Sequence, residues 1–228
     1  MPEVVSEFIR TNDFLKCQQI LDDLIISLKD DFSKYKKRVP SARILEVFST
    51  IIEQQGHKFT YNKVGEEFNH KQIKEAVDLL IMAGLVIPVT HTSANGIPLG
   101  AELNHKKRKL LILDTGIFQR ILGLKIAEIL LDNNFEVINK GCIAELFVGL
   151  ELLKSGSCFE SKQLYYWHRE NPNSNAEVDY VINKEGKIIP IEVKSGTKGS
   201  MQSMYVFLNE KKTRKRYSNF VRKFWKNR

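Results

Sequence analysis

Residues 176–194 read AEVDYVINKEGKIIPIEVK, a stretch whose hydrophobic period is two. Strand alternation sets Glu177 and Asp179 on one face of its first half and sends Val178, Tyr180 and Ile182 to the other. In Ile189-Pro-Ile-Glu-Val-Lys194 the same arithmetic groups Glu192 with Lys194, opposite Ile191 and Val193. Asn183–Gly186 supplies a turn, so two adjacent antiparallel strands converge three carboxylates and one lysine on one sheet edge. Phosphodiester hydrolysis asks for such a set. Carboxylates are hard oxygen ligands for Mg²⁺, and a nearby ammonium orients and stabilises an attacking hydroxide. The plain alternative is that Glu-Val-Asp and Glu-Val-Lys are the polar faces of exposed strands.

The flanking elements extend this pattern. Leu164–His168 reads as another strand, followed by a turn at Asn171–Asn175, and Ser200–Leu208 reads as helix. Upstream, a helix from about Asn139 to Leu153 carries Glu145, which adds a further carboxylate to the metal set. Two short amphipathic helices, around Phe118–Leu122 and Ile126–Leu131, come before it. Helix with Glu, strand, strand with Asp, strand with Glu-x-Lys, helix is the order of the restriction-endonuclease-like (PD-(D/E)XK) nuclease core. The expected fold class is therefore α/β. Asp179, Glu192 and Lys194 are the candidate catalytic residues, with Glu145, Asp179 and Glu192 as ligands for Mg²⁺. A fold is not an activity, and the pattern speaks for a metal site more strongly than for cleavage.

The N-terminal half is helical. Val4, Val5, Phe8 and Ile9, then Cys17, Ile20, Leu21, Leu24, Ile25 and Leu28, keep three-and-four spacing over residues 3–37, and Pro40 stops the pattern. A second helix starts at Ser41 as N-cap and ends near Gly56. A third spans Lys71–Ala83, with Ile73, Ala76, Val77, Leu79 and Leu80 as its apolar face. Leu85–Val89 and Lys109–Leu113 make a ribbon around the Gly/Pro/Ser/Asn-rich stretch Thr92–Gly100. This is the element order of a winged helix. In a DNA-binding version Lys71, Gln72 and Lys74, with Asn69 and His70, begin a recognition helix, and Lys106, Lys107 and Arg108, with Lys109, lie in the wing. Glu66, Glu67 and Glu75 flank those lysines, so a solvated face serving as a protein–protein adaptor is the competing reading.

The chain has 228 residues, 43% of them hydrophobic, which is enough for a sizeable core. Its formal net charge is +8, and nine Lys/Arg with no acid lie between Lys211 and Arg228. The excess positive charge is thus a property of a basic tail, and the body is near neutral. Tyr217, Phe220, Phe224 and Trp225 interleave with those cations. Such a segment suits nucleic acid or an anionic membrane surface, or an amphipathic helix docked on the domain, or disorder. Cys17, Cys142 and Cys158 form no Cys-x-x-Cys pair, which fits a reducing compartment and a cytoplasmic location. No apolar run is long enough to span a membrane, and the first thirty residues hold charges where a signal peptide needs apolar residues. The histidines are dispersed, and no Gly-x-Ser-x-Gly elbow marks a serine nucleophile.

Several stretches carry a family resemblance: Met1-Pro-Glu-Val-Val, Asp114-Thr-Gly, Gly141-Cys-Ile-Ala-Glu145, Tyr165-Tyr-Trp-His-Arg169, Ala176-Glu-Val-Asp179 and Pro190-Ile-Glu-Val-Lys-Ser-Gly196. Together they resemble the C-terminal region of prokaryotic AAA+ family ATPases, in which a P-loop module is followed by a winged helix and a nuclease-like domain. The resemblance covers roughly residues 1–210. It implies a helical lid remnant over 1–40, a winged-helix module over 41–114, a restriction-endonuclease-like domain over 115–210 and a basic tail over 211–228. The chain contains no Gly-x4-Gly-Lys-[Ser/Thr], so no ATP site is expected in it. The implied function is an accessory part of an AAA+-type ATPase that binds or cleaves nucleic acid with Mg²⁺. The alternative is a non-catalytic interaction module, with an ATPase or another protein covering residues 1–40. A truncated, frame-shifted or remnant gene is the expectation for both ends.

Overall fold

The computed structural model describes residues 1–35, 37–125, 140–171, 175–195 and 201–211. The helix expected at Ile126–Leu131 and the basic tail beyond Lys211 lie outside these residues. Among those described, seven α-helices and five strands form a mixed α/β protein. They divide into two units, Met1–Pro88 with Lys109–Glu160 and Val89–Arg108 with Ser161–Arg228.

The first unit holds most of the helices. The single helix expected over 3–37 is instead two, α1 (Pro2–Thr11) and α2 (Phe14–Asp31). Asn12 takes a left-handed conformation with φ 52°, and the Asp13 side chain caps α2 by accepting from Lys16 N at 3.1 Å. Short polar side chains that bond nearby backbone make such a break cheap, and apolar periodicity does not register it. Cys17, Leu21 and Ile25 are the buried stripe of α2, whereas Val5, Ile9, Leu15 and Ile26 stay exposed.

A 3₁₀ turn at Phe32–Tyr35 buries Phe32 and leads to α3 (Ser41–Glu53). Here Pro40, not Ser41, holds the N-cap position. Ser41 Oγ donates to the carbonyl of Phe32 at 3.3 Å instead. Helix α4 (His70–Met82) begins with a capping box: Asn69 Oδ1 accepts from Gln72 N, and Gln72 Oε1 accepts from Asn69 N, both at 3.0 Å. Its buried residues Ile73, Ala76, Val77, Leu79 and Leu80 are the face read from the sequence.

The Asp114-Thr-Gly motif has a local structural task. Asp114 Oδ1 accepts from Gly116 N at 2.8 Å and Ile117 N at 3.0 Å, starting α5 (Thr115–Ile121). A Cβ on Gly116 would stand 3.0 Å from that oxygen, so the tight cap favours glycine. Arg120 ties α5 to α2 through both oxygens of Asp22, at 2.6 and 3.0 Å. Helix α6 (Lys140–Lys154) completes this unit and buries Glu145, Leu146, Gly149 and Leu150.

Strands β1 (Val86–Thr92) and β2 (Leu103–Ile112) begin and end in the first unit, and their tip belongs to the second. The reason is pairing. β1 runs parallel to β3 (Leu164–His168), with Val89 opposite Leu164 and His91 opposite Tyr166. β3 is antiparallel to β4 (Glu177–Lys184), and β4 to β5 (Lys187–Ile191), giving the sheet order β2-β1-β3-β4-β5. The ribbon that sequence order assigned to residues 41–114 therefore shares a sheet with strands some seventy residues downstream.

Helix α7 (Gln202–Glu210) covers the second unit's core, where Phe207 packs with Trp167, Val178, Val181, Leu99 and Ala94. The Trp167 and Phe207 rings meet edge-on, with centroids 5.1 Å apart. Strict alternation would separate Val178 from Val181, yet both lie in this cluster. The register shifts between Tyr165–Val181 and Trp167–Val178, leaving one extra residue in β4. Such a bulge re-aims neighbouring side chains, and Asp179 lies within it. Among the described residues no helix is long and apolar enough to cross a membrane.

Candidate functional site

The end of the β4–β5 pair collects three of the four residues singled out by spacing. Pairing runs from Lys184–Lys187 to Tyr180–Ile191, and Asp179 and Glu192 are the next residues of the two chains beyond the last pair. Asp179 Oδ2 accepts from Val193 N at 2.7 Å, which fixes the chain just past the end of β5. Lys194 Nζ donates to Glu192 Oε1 at 2.6 Å. The Glu192 side chain is 7% exposed and that of Lys194 is 36% exposed, so the carboxylate is shielded while the ammonium reaches solvent. Glu177, on the same strand, stands opposite His168 of β3.

This arrangement can present two carboxylates with a cation held against one of them. Among the described residues no group of three or more His, Cys, Asp and Glu side chains gathers to hold a metal ion. The carboxylates available at this strand end are those of Asp179 and Glu192. They suit Mg²⁺, which is bound through one or two carboxylates while water and substrate phosphate complete its shell.

Glu145 lies in the first unit, on α6, with a separate environment. Its Oε1 accepts from Lys109 Nζ at 2.8 Å, and the Lys109 side chain is only 1% exposed. Lys109 was expected on an open wing beside Lys106, Lys107 and Arg108. It is buried because β2 changes at this residue from a partly exposed strand to a fully covered one. Gly56, with φ +81°, lets the chain pass this place, since a Cβ there would come within 2.9 Å of Cys142 Sγ and 3.5 Å of Glu145 Oε2. Burial and the neighbouring Glu145 charge push the Cys142 thiol above its ordinary value. The role of Lys109 was missed at the level of sequence. Its one signal is position: of the four cations Lys106–Lys109 it is the one that adjoins the apolar run Leu110–Leu113.

The candidate nucleic-acid contacts fall in both units. Lys71 and Lys74 are exposed on α4, while Gln72 commits its side-chain oxygen to the capping box. Lys106 is exposed and Arg108 half-buried on β2. Lys107 Nζ donates to Glu170 Oε1 at 3.0 Å, and this ammonium holds the Glu170 carboxyl below the usual carboxylate range. Arg169 likewise pairs with Glu210, and Lys211 bonds Asn95 Oδ1 at 2.7 Å.

Residues 1–128 match the family model described as a domain of unknown function (DUF8612). Residues 140–225 match a second, also described as a domain of unknown function (DUF4143). No curated protein and no solved structure matches the chain.

Proposed function

The chain belongs to the DUF8612 family, and we propose, from the geometry of its second unit, that this unit carries a Mg²⁺-dependent site that binds and cleaves nucleic acid. In this reading the protein is the C-terminal, nuclease-like accessory part of an AAA+-type ATPase. The observation that carries it is the 2.7 Å bond from Val193 N to Asp179, which ties Asp179 to the segment on which Lys194 is held 2.6 Å from Glu192. The order α6, β3, β4, β5, α7, with β3 to β5 antiparallel, supports a restriction-endonuclease-like core. Asp179 and Glu192 would hold the ion, which when bound polarises a phosphate and lowers the pKa of water. Glu145, the third expected ligand, belongs to the first unit, where it accepts from Lys109.

The chain's own residues then have defined tasks. The Asp179 bond to Val193 N keeps the segment that carries Glu192 and Lys194 at a fixed distance from β4. Glu192 aims the Lys194 ammonium, whose positive charge would stabilise the negative charge that develops on an attacked phosphate. The test is incubation of the intact protein with single- and double-stranded DNA in Mg²⁺, Mn²⁺ or EDTA. Cleavage that needs the metal and disappears in Glu192→Ala and Lys194→Ala supports the reading. Cleavage equal in both variants, or absent throughout, ends it.

The order α3, α4, β1, β2 supports the winged-helix reading of the preceding segment, with Lys71 and Lys74 as phosphate contacts. DNA affinity should then fall with salt, and less steeply once both lysines are alanine. An affinity indifferent to salt would remove phosphate contacts from the account. A second reading, docking on an ATPase, is favoured by the exposure of Ile9 at 79%, Leu15 at 64% and Ile26 at 57% on the first two helices. It requires that Ile9→Asp with Ile26→Asp abolish binding to the ATPase module while the melting temperature stays put. Unchanged binding would exclude that face.

A further inference from the structure

His91 sits in β1 and is 1% exposed. Its Nε2 lies 3.2 Å from the carbonyl oxygen of His168. A carbonyl only accepts, so Nε2 carries the proton and Nδ1 keeps the bare lone pair. Nδ1 is buried and meets no hydrogen-bonding partner among the described residues. The ring packs edge-on against Tyr166, with centroids 5.6 Å apart, and lies 5.2 Å from the ring of His168.

We propose that His91 is an acid-operated latch between the parallel strands β1 and β3. Neutral, it ties the two strands through Nε2 and the His168 carbonyl. The next proton must go to Nδ1, where a buried N–H⁺ finds no acceptor among the described residues, so protonation requires this seam to open. The ionisable groups around it offset that charge only in part, since Glu170 favours it while His168 and Lys107 oppose it. Tyr166 and His168 face it from β3, and the His168 Nδ1 is already 2.5 Å from the Arg169 carbonyl. Glu170, beyond the end of β3, is committed to Lys107 of β2 at 3.0 Å, and that ammonium opposes a charge on His91. Burial accordingly holds the His91 imidazole below its ordinary value.

The sign follows. Between the depressed native value and about 6.5 the unfolded or opened chain binds the proton and the native chain does not, so stability rises with pH there. The contribution of His91 is complete above about pH 6.5 and is lost as pH falls through the lower native value. Because His168 stands opposite Glu177, two residues before Asp179, opening would loosen the strand beside the candidate site. The latch itself does not depend on what that site does.

Urea unfolding of the intact protein from pH 8 to pH 5 tests this against His91→Gln, whose amide N–H can replace Nε2–H but cannot titrate. The wild-type unfolding equilibrium constant should rise relative to the variant by up to about tenfold for each pH unit below 6.5. His168→Gln should keep that pH response. Parallel curves for wild type and His91→Gln, or loss of the response in His168→Gln, would overturn the proposal. If His91→Gln does not fold, amide hydrogen exchange in the wild type decides. Thr90–Thr92 and Tyr165–Trp167 should lose protection below pH 6.5 relative to α3 and α4, after correction for intrinsic rates. Equal changes in both regions would sink the latch.

Discussion

Lys109→Met should destabilise the protein by about 3–5 kcal/mol, the usual consequence of stripping one partner from a buried ion pair. The Lys109 side chain is 1% exposed and that of Glu145 is 11% exposed, so the remaining carboxylate cannot recover its charge stabilisation from water. Loss of the 2.8 Å bond matters less than loss of the Lys109 charge beside a buried carboxylate. Two companion variants separate these effects. Glu145→Gln should be milder, since an amide oxygen still accepts from Lys109, and Lys109→Met combined with Glu145→Leu should regain most of the loss. The measure is the urea midpoint at constant slope. A Lys109→Met protein within about 1 kcal/mol of wild type would mean that the pair is solvated and structurally idle.

Lys194→Ala carries the second large expectation. Under the proposed chemistry it lowers metal-dependent cleavage by about 100- to 1000-fold, the range for removing one preorganised group that stabilises developing charge. Its effect on folding should be small. The ion pair with Glu192 has a lysine 36% exposed to solvent, and pairs of that kind contribute only about 0–1 kcal/mol. A large loss of turnover with a nearly unchanged unfolding midpoint is therefore the signature of a residue working on substrate. Equal turnover would show that Lys194 merely solvates a strand end, and a comparable loss of stability would show that it holds the fold.

The legible parts of this protein are those where chemistry repeats at short range. The strand Leu164–His168 and the buried face of α4 follow from period-two and period-3.6 patterns, and both appear at the residues expected. Glu192 and Lys194 do meet as an ion pair, but not by the strand alternation that grouped them, because β5 ends at Ile191. Local reading failed where a strand lacks a period. β2 begins at Leu103, because Asn104-His-Lys-Lys-Arg108 places polar residues on both faces and imitates a loop. The bulge around Asp179 is equally silent, since one extra residue leaves the apolar composition of β4 unchanged.

Long-range pairings were out of reach for a different reason. No periodicity records that β1 lies parallel to β3, or that Glu145 finds its cation on a strand 36 residues earlier. The sequence placed Glu145 with Asp179 and Glu192 by element order alone. Its pairing with Lys109 is a property of the folded first unit.

Metal binding probes the Asp179–Glu192 site without any knowledge of the nucleic acid. Titrating the intact protein with Mn²⁺, followed by the electron paramagnetic resonance signal of the unbound ion, counts the sites and measures their affinity. Asp179→Asn and Glu192→Gln should each weaken one site by about tenfold or more, at least the cost of disturbing a ligand's supporting shell, whereas Lys194→Ala should leave that site filled. Identical Mn²⁺ binding in wild type, Asp179→Asn and Glu192→Gln, or none in the wild type, would contradict the account.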